Sequence, residues 1–323
     1  MNVKRAISVL AALVASVAPT FVAAAQLLVL NKSDATLSFV DTETGKASKT
    51  IATGEGPHEI ELSSDGKLAF VSNYGARTAG HTLSVIDVAK QTERERVDLK
   101  DLLRPHGLSF ANGYAYFTAE DSQSIGRYDP KSQRVDWTFE TGEDRTHMIL
   151  ATRDGKKLYT TNMGSNTVSV IEQRDGKWQQ TLITVGKGPE ALDLSPDGRE
   201  LWTAHSQDGG VSIIDPSTNK VIHTFDAKTK RSNRLKFTPD GRHVLVSDLS
   251  GGELVILDAK KRSEIARLAL GRSPTGILIE PNGKHAFVAV SGENHIAVVD
   301  LSAMRIVRTI QTGNNPDGMA WVR

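Results

Sequence analysis

The chain contains no cysteine. Export therefore brings no disulfide, no lipid-anchored cysteine and no C-x-x-C-H haem attachment, and stability must come from packing alone. Charge of one sign is missing too: 39 Lys and Arg stand against 38 Asp and Glu, a formal net charge of +1. Without a long-range positive field, nucleic acid and anionic membrane surfaces are not expected partners. The chain has no P-loop, no G-x-G-x-x-G after a strand and no G-x-S-x-G elbow, which removes the usual signatures of nucleotide binding and serine hydrolysis. It also has no apolar run of the ~20 residues that a membrane-spanning helix needs.

The most apolar segment lies at the start and reads as a secretory leader. Lys4 and Arg5 form a positive n-region, Ala6 to Ala18 an apolar stretch, and Ala23, Ala24 and Ala25 a small-residue cleavage site. Cleavage after Ala25 predicts a signal peptide over 1–25, a mature start at Gln26 and a periplasmic or secreted protein without membrane insertion. Loss of Lys4 and Arg5 leaves the mature chain near neutrality.

What the chain does have is a repeat. The turn pairs Asp65-Gly66, Asn112-Gly113, Asp154-Gly155, Asp197-Gly198, Asp240-Gly241 and Asn282-Gly283 recur at intervals of roughly 42 to 47 residues, the period of a four-stranded propeller blade. Each is a two-residue hairpin signal between apolar runs. Six complete repeats fit between Gly54 and Gly313. The ends supply a seventh: Asn315 to Val322 matches the first strand of a repeat, while Leu27–Asn31, Thr36–Asp41 and Ala47–Ile51 match the other three. The expectation is an all-β, seven-bladed propeller of four-stranded blades, one domain over 26–323, closed by pairing of its two ends, and monomeric. Closure leaves no open edge between blades.

The segments Tyr159 to Asn162, Phe70 to Asn73, Ser195 to Gly198 and Val168 to Ile171 carry a resemblance to the YVTN-family β-propeller repeat, found in lactonase-like and YncE-like propellers. It covers the whole mature chain. The resemblance implies the fold; it does not single out a function, because such propellers include both binding proteins and enzymes.

In such a propeller the first strand of each blade lines the central channel. The crossings into those strands hold His58, His106, His147, Glu190, Asn233, Thr275 and Asp317 at one equivalent position. Residues two and four further on are apolar in nearly every repeat, so simple alternation puts the polar residue on the core face, opening at the channel mouth as a ring. His58, His106 and His147 from successive blades and Glu190 from the next offer imidazole and carboxylate ligands suited to zinc, manganese, iron or copper. Arg104, Arg145 and Arg231, with Asn233 and Asp317, suit an anionic ligand. A longer connection between Asn73 and Leu83 adds Tyr74, Arg77 and His81 at the same face. Solvated strand-start histidines would give the same pattern. Two readings therefore stand: a binding or scaffold propeller presenting its channel mouth to a small anionic molecule or a periplasmic protein, and a metal-dependent hydrolase or lyase acting on a lactone or uronate. Noncovalent haem on a channel histidine is compatible with the pattern but not required by it. Trp137, Trp178, Trp202 and Trp321 are expected to pack between blades.

Overall fold

The computed structural model describes residues 25–322; the expected leader, apart from Ala25, lies outside them. Seven four-stranded antiparallel sheets follow one another, six with their strands in chain order and the seventh made of the last strand followed by the first three. The innermost strands are Pro57–Leu62, Pro105–Ala111, Thr146–Ala151, Pro189–Leu194, Ser232–Phe237, Pro274–Ile279 and Pro316–Val322, which define blades one to seven. Consecutive inner strands abut, and Pro316–Val322 touches Pro57–Leu62, so the ring is closed. No helix among the described residues is long and apolar enough to cross a membrane.

The seventh blade joins the ends as expected. Pro316–Val322 pairs with Gln26–Asn31, matching Leu27 with Trp321, Leu28 with Ala320 and Val29 with Met319. Both faces of Gln26–Asn31 are covered. Leu28 and Leu30 pack with Ile60, Ala69 and Val71 of blade one, whereas Leu27 and Val29 pack with Phe287, Ala289 and Ile296 of blade six. A strand buried on both sides reads as a continuous apolar run, which is why Leu27-Leu28-Val29-Leu30 shows no alternation. Outer strands keep one face in water, and Arg134–Glu140 alternates exposed and half-buried residues. Apolar layers of this kind fill the spaces between neighbouring blades.

An asparagine at or near the end of the second strand in three blades ties that strand to the third. Asn31 donates to Thr36 and Ser38, Asn73 to Thr82 and Ser84, and Asn162 to Thr167 and Ser169. These bonds satisfy buried hydroxyls where the hairpin meets the ring face.

Simple alternation fails in the inner strands, and the reason is regular. In blade one Pro57 pairs with Asn73 but Ile60 pairs with Val71, so His58 and Glu59 together oppose Ser72. Each of the other inner strands carries a register shift at the same place. A bulge inserts an extra residue and re-aims side chains. His58 is therefore bulged out of the ladder and does not share the face of Ile60 and Leu62; the ring exists, but the phase inferred for it is wrong. In four blades a hydroxyl bridges the backbone groups left near the bulge. Ser72 accepts from the Glu59 N–H and donates to the carbonyl of His106, and Thr118, Thr161 and Ser247 make the same link to the following blade.

Candidate functional site

His58, His106, His147, Glu190, Asn233, Thr275 and Asp317 each occupy the second position of an inner strand, and all seven line one cavity of about 530 Å³. Lys32, Tyr74, Arg104, Glu120, Asp121, Arg145 and Arg231 also border it. Its base is polar: His106, His147, Glu190, Asn233 and Asp317 are buried, and His58 keeps 12% of its side chain exposed. Arg145 and Arg231 are exposed at the rim.

The three histidines stack in a row. Ring centroids of His58 and His106 lie 4.0 Å apart, and those of His106 and His147 lie 3.8 Å apart. Tyr74 meets both His58 and His106 edge-on at 5.5 Å. Burial pushes the His106 imidazole well below its ordinary pKa, and the neighbouring imidazoles of His147 and His58 add to this. Burial also lowers His58, against the pull of Asp317 and Glu59. Burial thus favours the neutral form of both His58 and His106, which avoids the repulsion of two imidazolium ions so close together.

Glu120, at the end of the second strand of blade two, was not visible as a site residue in the sequence. One of its oxygens contacts His147 Nδ1, and the other accepts from the Tyr74 hydroxyl at 2.5 Å. Burial opposes ionisation of Glu120, but His147 and the Tyr74 hydrogen bond outweigh it and hold the carboxyl at about 2. Burial in turn raises the Tyr74 phenol, with the Glu120 charge adding to it. Arg104 covers the Tyr74 ring at 4.8 Å and reaches Asp121 at 3.3 Å.

Glu190 does not join the histidines. Its Oε1 accepts from the Asn233 amide at 2.5 Å, and the groups of metal-capable side chains are instead His106 with Glu120 and His147, and His58 with Glu59 and His106. Asp317 lies 3.4 Å from Lys32 Nζ and 3.3 Å from His58 Nδ1, the latter too far off line for a hydrogen bond. Of the longer connection, only Tyr74 reaches the cavity. Its flanking strands run on as a hairpin, Leu68–Gly75 with Ala79–Asp87, leaving Arg77 exposed and His81 paired with Asp98 at the surface.

Next to the ring residues, buried Arg234 of blade five crosses to the half-buried Glu59 of blade one in an ion pair. Burial opposes the charge on each, but the partner overrides it, keeping Glu59 below the usual carboxylate range and Arg234 charged. The equivalent positions in blades two, four, six and seven hold Gly107, Ala191, Gly276 and Gly318, which leave room for the crossing. Gly318 is also forced by close approach, since a Cβ there would sit 2.6 Å from the His58 carbonyl oxygen. The pair puts opposite charges on the inner strands next to the ring residues His58 and Asn233. Beneath it burial pushes Glu61 up to about 7, despite Lys236 nearby.

Two arginines at the rim sit in strained backbone. Arg104 and Arg145 have φ of 55° and 54° at positions where blades one and four use Gly56 and Gly188, with φ of 60° and 64°. A long side chain in the left-handed region costs on the order of 1–2 kcal/mol. Such a cost is common where a side chain serves a site.

Comparison with known proteins follows the fold. A model of the YNCE-like β-propeller family matches residues 4–165, and one of the cytochrome D1 haem domain matches residues 145–283. No curated protein matches the chain significantly. Among solved structures, hydrazine synthase of Kuenenia stuttgartiensis is 21% identical, covering 81% of this chain and 88% of that chain at a TM-score of 0.72. A protein provisionally assigned as a 6-phosphogluconolactonase from Bacteroides fragilis NCTC 9343 is 17% identical, covering 95% of this chain and 100% of that one at 0.77. Dihydro-haem d1 dehydrogenase NirN in complex with DHE is 12% identical, covering 91% of this chain and 74% of that one at 0.66. These structural likenesses speak to the fold alone. With the first family model spanning half of the sequence and seven blades in the structure, this chain belongs to the YNCE-like β-propeller family.

Proposed function

We propose that this is an exported binding propeller whose channel mouth takes a small anionic molecule, with Arg104, Arg145 and Arg231 as rim contacts and the ring as the polar base. One observation carries the reading: six buried polar atoms around the cavity, His58 Nδ1, His106 Nδ1, His147 Nε2, Glu190 Oε2, Asn233 Oδ1 and Asp317 Oδ1, have no hydrogen-bond partner. Leaving a buried polar group unpaired costs about 1–3 kcal/mol, and the unpaired oxygens are acceptors, so the base calls for a guest that brings hydroxyl or N–H donors while the rim guanidinium groups take its anionic end. Guanidinium groups favour carboxylate or phosphate through paired N–H donors. Export rests on the leader pattern, and mass measurement of the secreted protein should give an N-terminus at Gln26. Titration calorimetry with phosphate, citrate and a hexonic acid tests the ligand class. At least one should bind, and the double variant Arg104→Ala, Arg145→Ala should weaken it at least about tenfold, as loss of two charge-assisted contacts implies. Equal affinity in the double variant would reject the assignment of the rim.

A second reading is favoured by the cytochrome D1 haem-domain match over residues 145–283. A tetrapyrrole carries carboxylates that the rim arginines would suit, and its iron would accept an imidazole ligand. His58 fits that role best, being the ring histidine that keeps appreciable exposure. Addition of haem to the purified protein should then give a shifted Soret band that His58→Ala abolishes; an unchanged spectrum would remove this reading.

A further inference from the structure

Glu190 and Asn233 give the base of the cavity a chemistry opposite to that of its rim. They are 3% and 6% exposed, and each keeps one oxygen without a partner, Glu190 Oε2 and Asn233 Oδ1. The orientation of the Asn233 amide is fixed, because its nitrogen faces Glu190 Oε1 and donates to it. The two free oxygens therefore belong to neighbouring, hydrogen-bonded groups that line the same cavity. Neither oxygen of Glu190 meets a cation, since Oε1 takes a neutral amide and Oε2 takes nothing. Arg234 of the next blade is held by Glu59 and by the Asn233 carbonyl, and Lys32 is held by Asp317. The nearest ring hydroxyl is spent as well, because Thr275 bonds Ser291 and donates to the Pro316 carbonyl. A buried carboxylate without a cationic partner is among the costlier arrangements in a fold.

We propose that Glu190 and Asn233 form an ammonium subsite and that the guest is a small zwitterion, with a primary amine at one end and a carboxylate or phosphate at the other. The assignment rests on the anion-binding reading of the rim and adds what the base selects. An ammonium carries three N–H donors and no lone pair, so it serves both free oxygens at once and supplies the missing positive charge. A hydroxyl has a single proton. It can satisfy one of the two oxygens and turns its own lone pairs toward the other. Arg145 and Arg231, exposed at the border of the same cavity, are placed to take the anionic end through paired N–H donors.

The test is titration calorimetry of the purified protein with two sets of matched ligands that differ only at the end facing the base. One set is δ-aminovalerate, δ-hydroxyvalerate and valerate; the other is O-phosphoethanolamine, glycol monophosphate and ethyl phosphate. In at least one set the amino ligand should bind at least about tenfold more tightly than its hydroxy counterpart, as a charge-assisted contact to a buried carboxylate implies, and the set that shows this identifies the anionic end as carboxylate or phosphate. Glu190→Gln, with folding checked by circular dichroism, should bring the amino and hydroxy ligands to within about twofold of each other. The matched sets on the unaltered protein decide the matter even if that variant does not fold. Changing Arg145→Ala and Arg231→Ala together should weaken the amino and hydroxy ligands by the same factor. Hydroxy or alkyl ligands that bind as tightly as the amino ones would overturn the ammonium subsite and leave the anion site standing; failure of both amino ligands to bind would overturn it too. An amino preference that persists with no loss of affinity in the double arginine variant would keep the ammonium subsite and reject the rim as the anion site.

Discussion

Removal of the last strand probes the closure of the ring most directly. A chain ending at Asn314 loses Pro316–Val322, which pairs along Gln26–Asn31 and feeds two interblade layers, Met319 and Trp321 toward blade six and Ala320 and Val322 toward blade one. Burial of a large apolar side chain contributes about 1.5–3 kcal/mol, so Met319, Trp321 and Val322 together account for about 6 kcal/mol. Net ladder hydrogen bonds at about 1 kcal/mol each add roughly 4 kcal/mol more. The total of about 10 kcal/mol lies within the 5–15 kcal/mol that holds a typical domain folded. The truncated chain should therefore fail to fold as a monomer and should expose Gln26–Asn31 as a sticky edge. Circular dichroism melting and size exclusion with light scattering check this, and a peptide spanning 315–322 should rescue folding in trans. Met319→Ala gives a graded version, expected to cost about 2–4 kcal/mol because Met319 is buried in its layer. A truncated protein that stays monomeric and melts within a few degrees of the intact one would refute end-to-end closure.

Glu61 should make stability depend on pH. Its folded-state pKa is raised to about 7 by burial, above the ordinary glutamate value, so the folded protein holds a proton that the unfolded chain releases. The resulting penalty is absent below about pH 4, grows between about pH 4 and 7 and is constant above, reaching about 3 kcal/mol at most. Glu61→Gln should thus raise the melting temperature more at pH 8 than at pH 5, and a loss at pH 8 would mean that ionised Glu61 is stabilised by Lys236. Arg145→Gly should relieve the left-handed strain and stabilise the fold by up to about 1 kcal/mol while weakening anion binding; a melting temperature several degrees lower would make Arg145 a structural residue. Asn162→Ala removes bonds to Thr167 and Ser169 and should cost about 2–3 kcal/mol, seen as a lower urea midpoint with unchanged slope.

The sequence by itself determined the number of blades, the turns between strands and the sharing of one blade by the two ends. These are local matters: an Asp-Gly or Asn-Gly pair sets a hairpin, and a fixed period of such hairpins leaves a ring as the arrangement that covers every edge. It also placed His58, His106, His147, Glu190, Asn233 and Asp317 around one opening, because equivalent positions in equivalent blades meet at the axis. What it did not contain was the direction of those side chains. A bulge recurring in all seven inner strands displaces the ring residue from the alternation that sequence reasoning assumes, and a bulge is a property of the pairing between two strands. The partners were equally hidden. Glu120 meets His147 across 27 positions and Arg234 meets Glu59 across 175, neither within a repeat register that the sequence displays. Only the closed ring, by bringing blades five and one to the same axis, decides that Arg234 pairs with Glu59 and that His147 answers to Glu120 and not to Glu190.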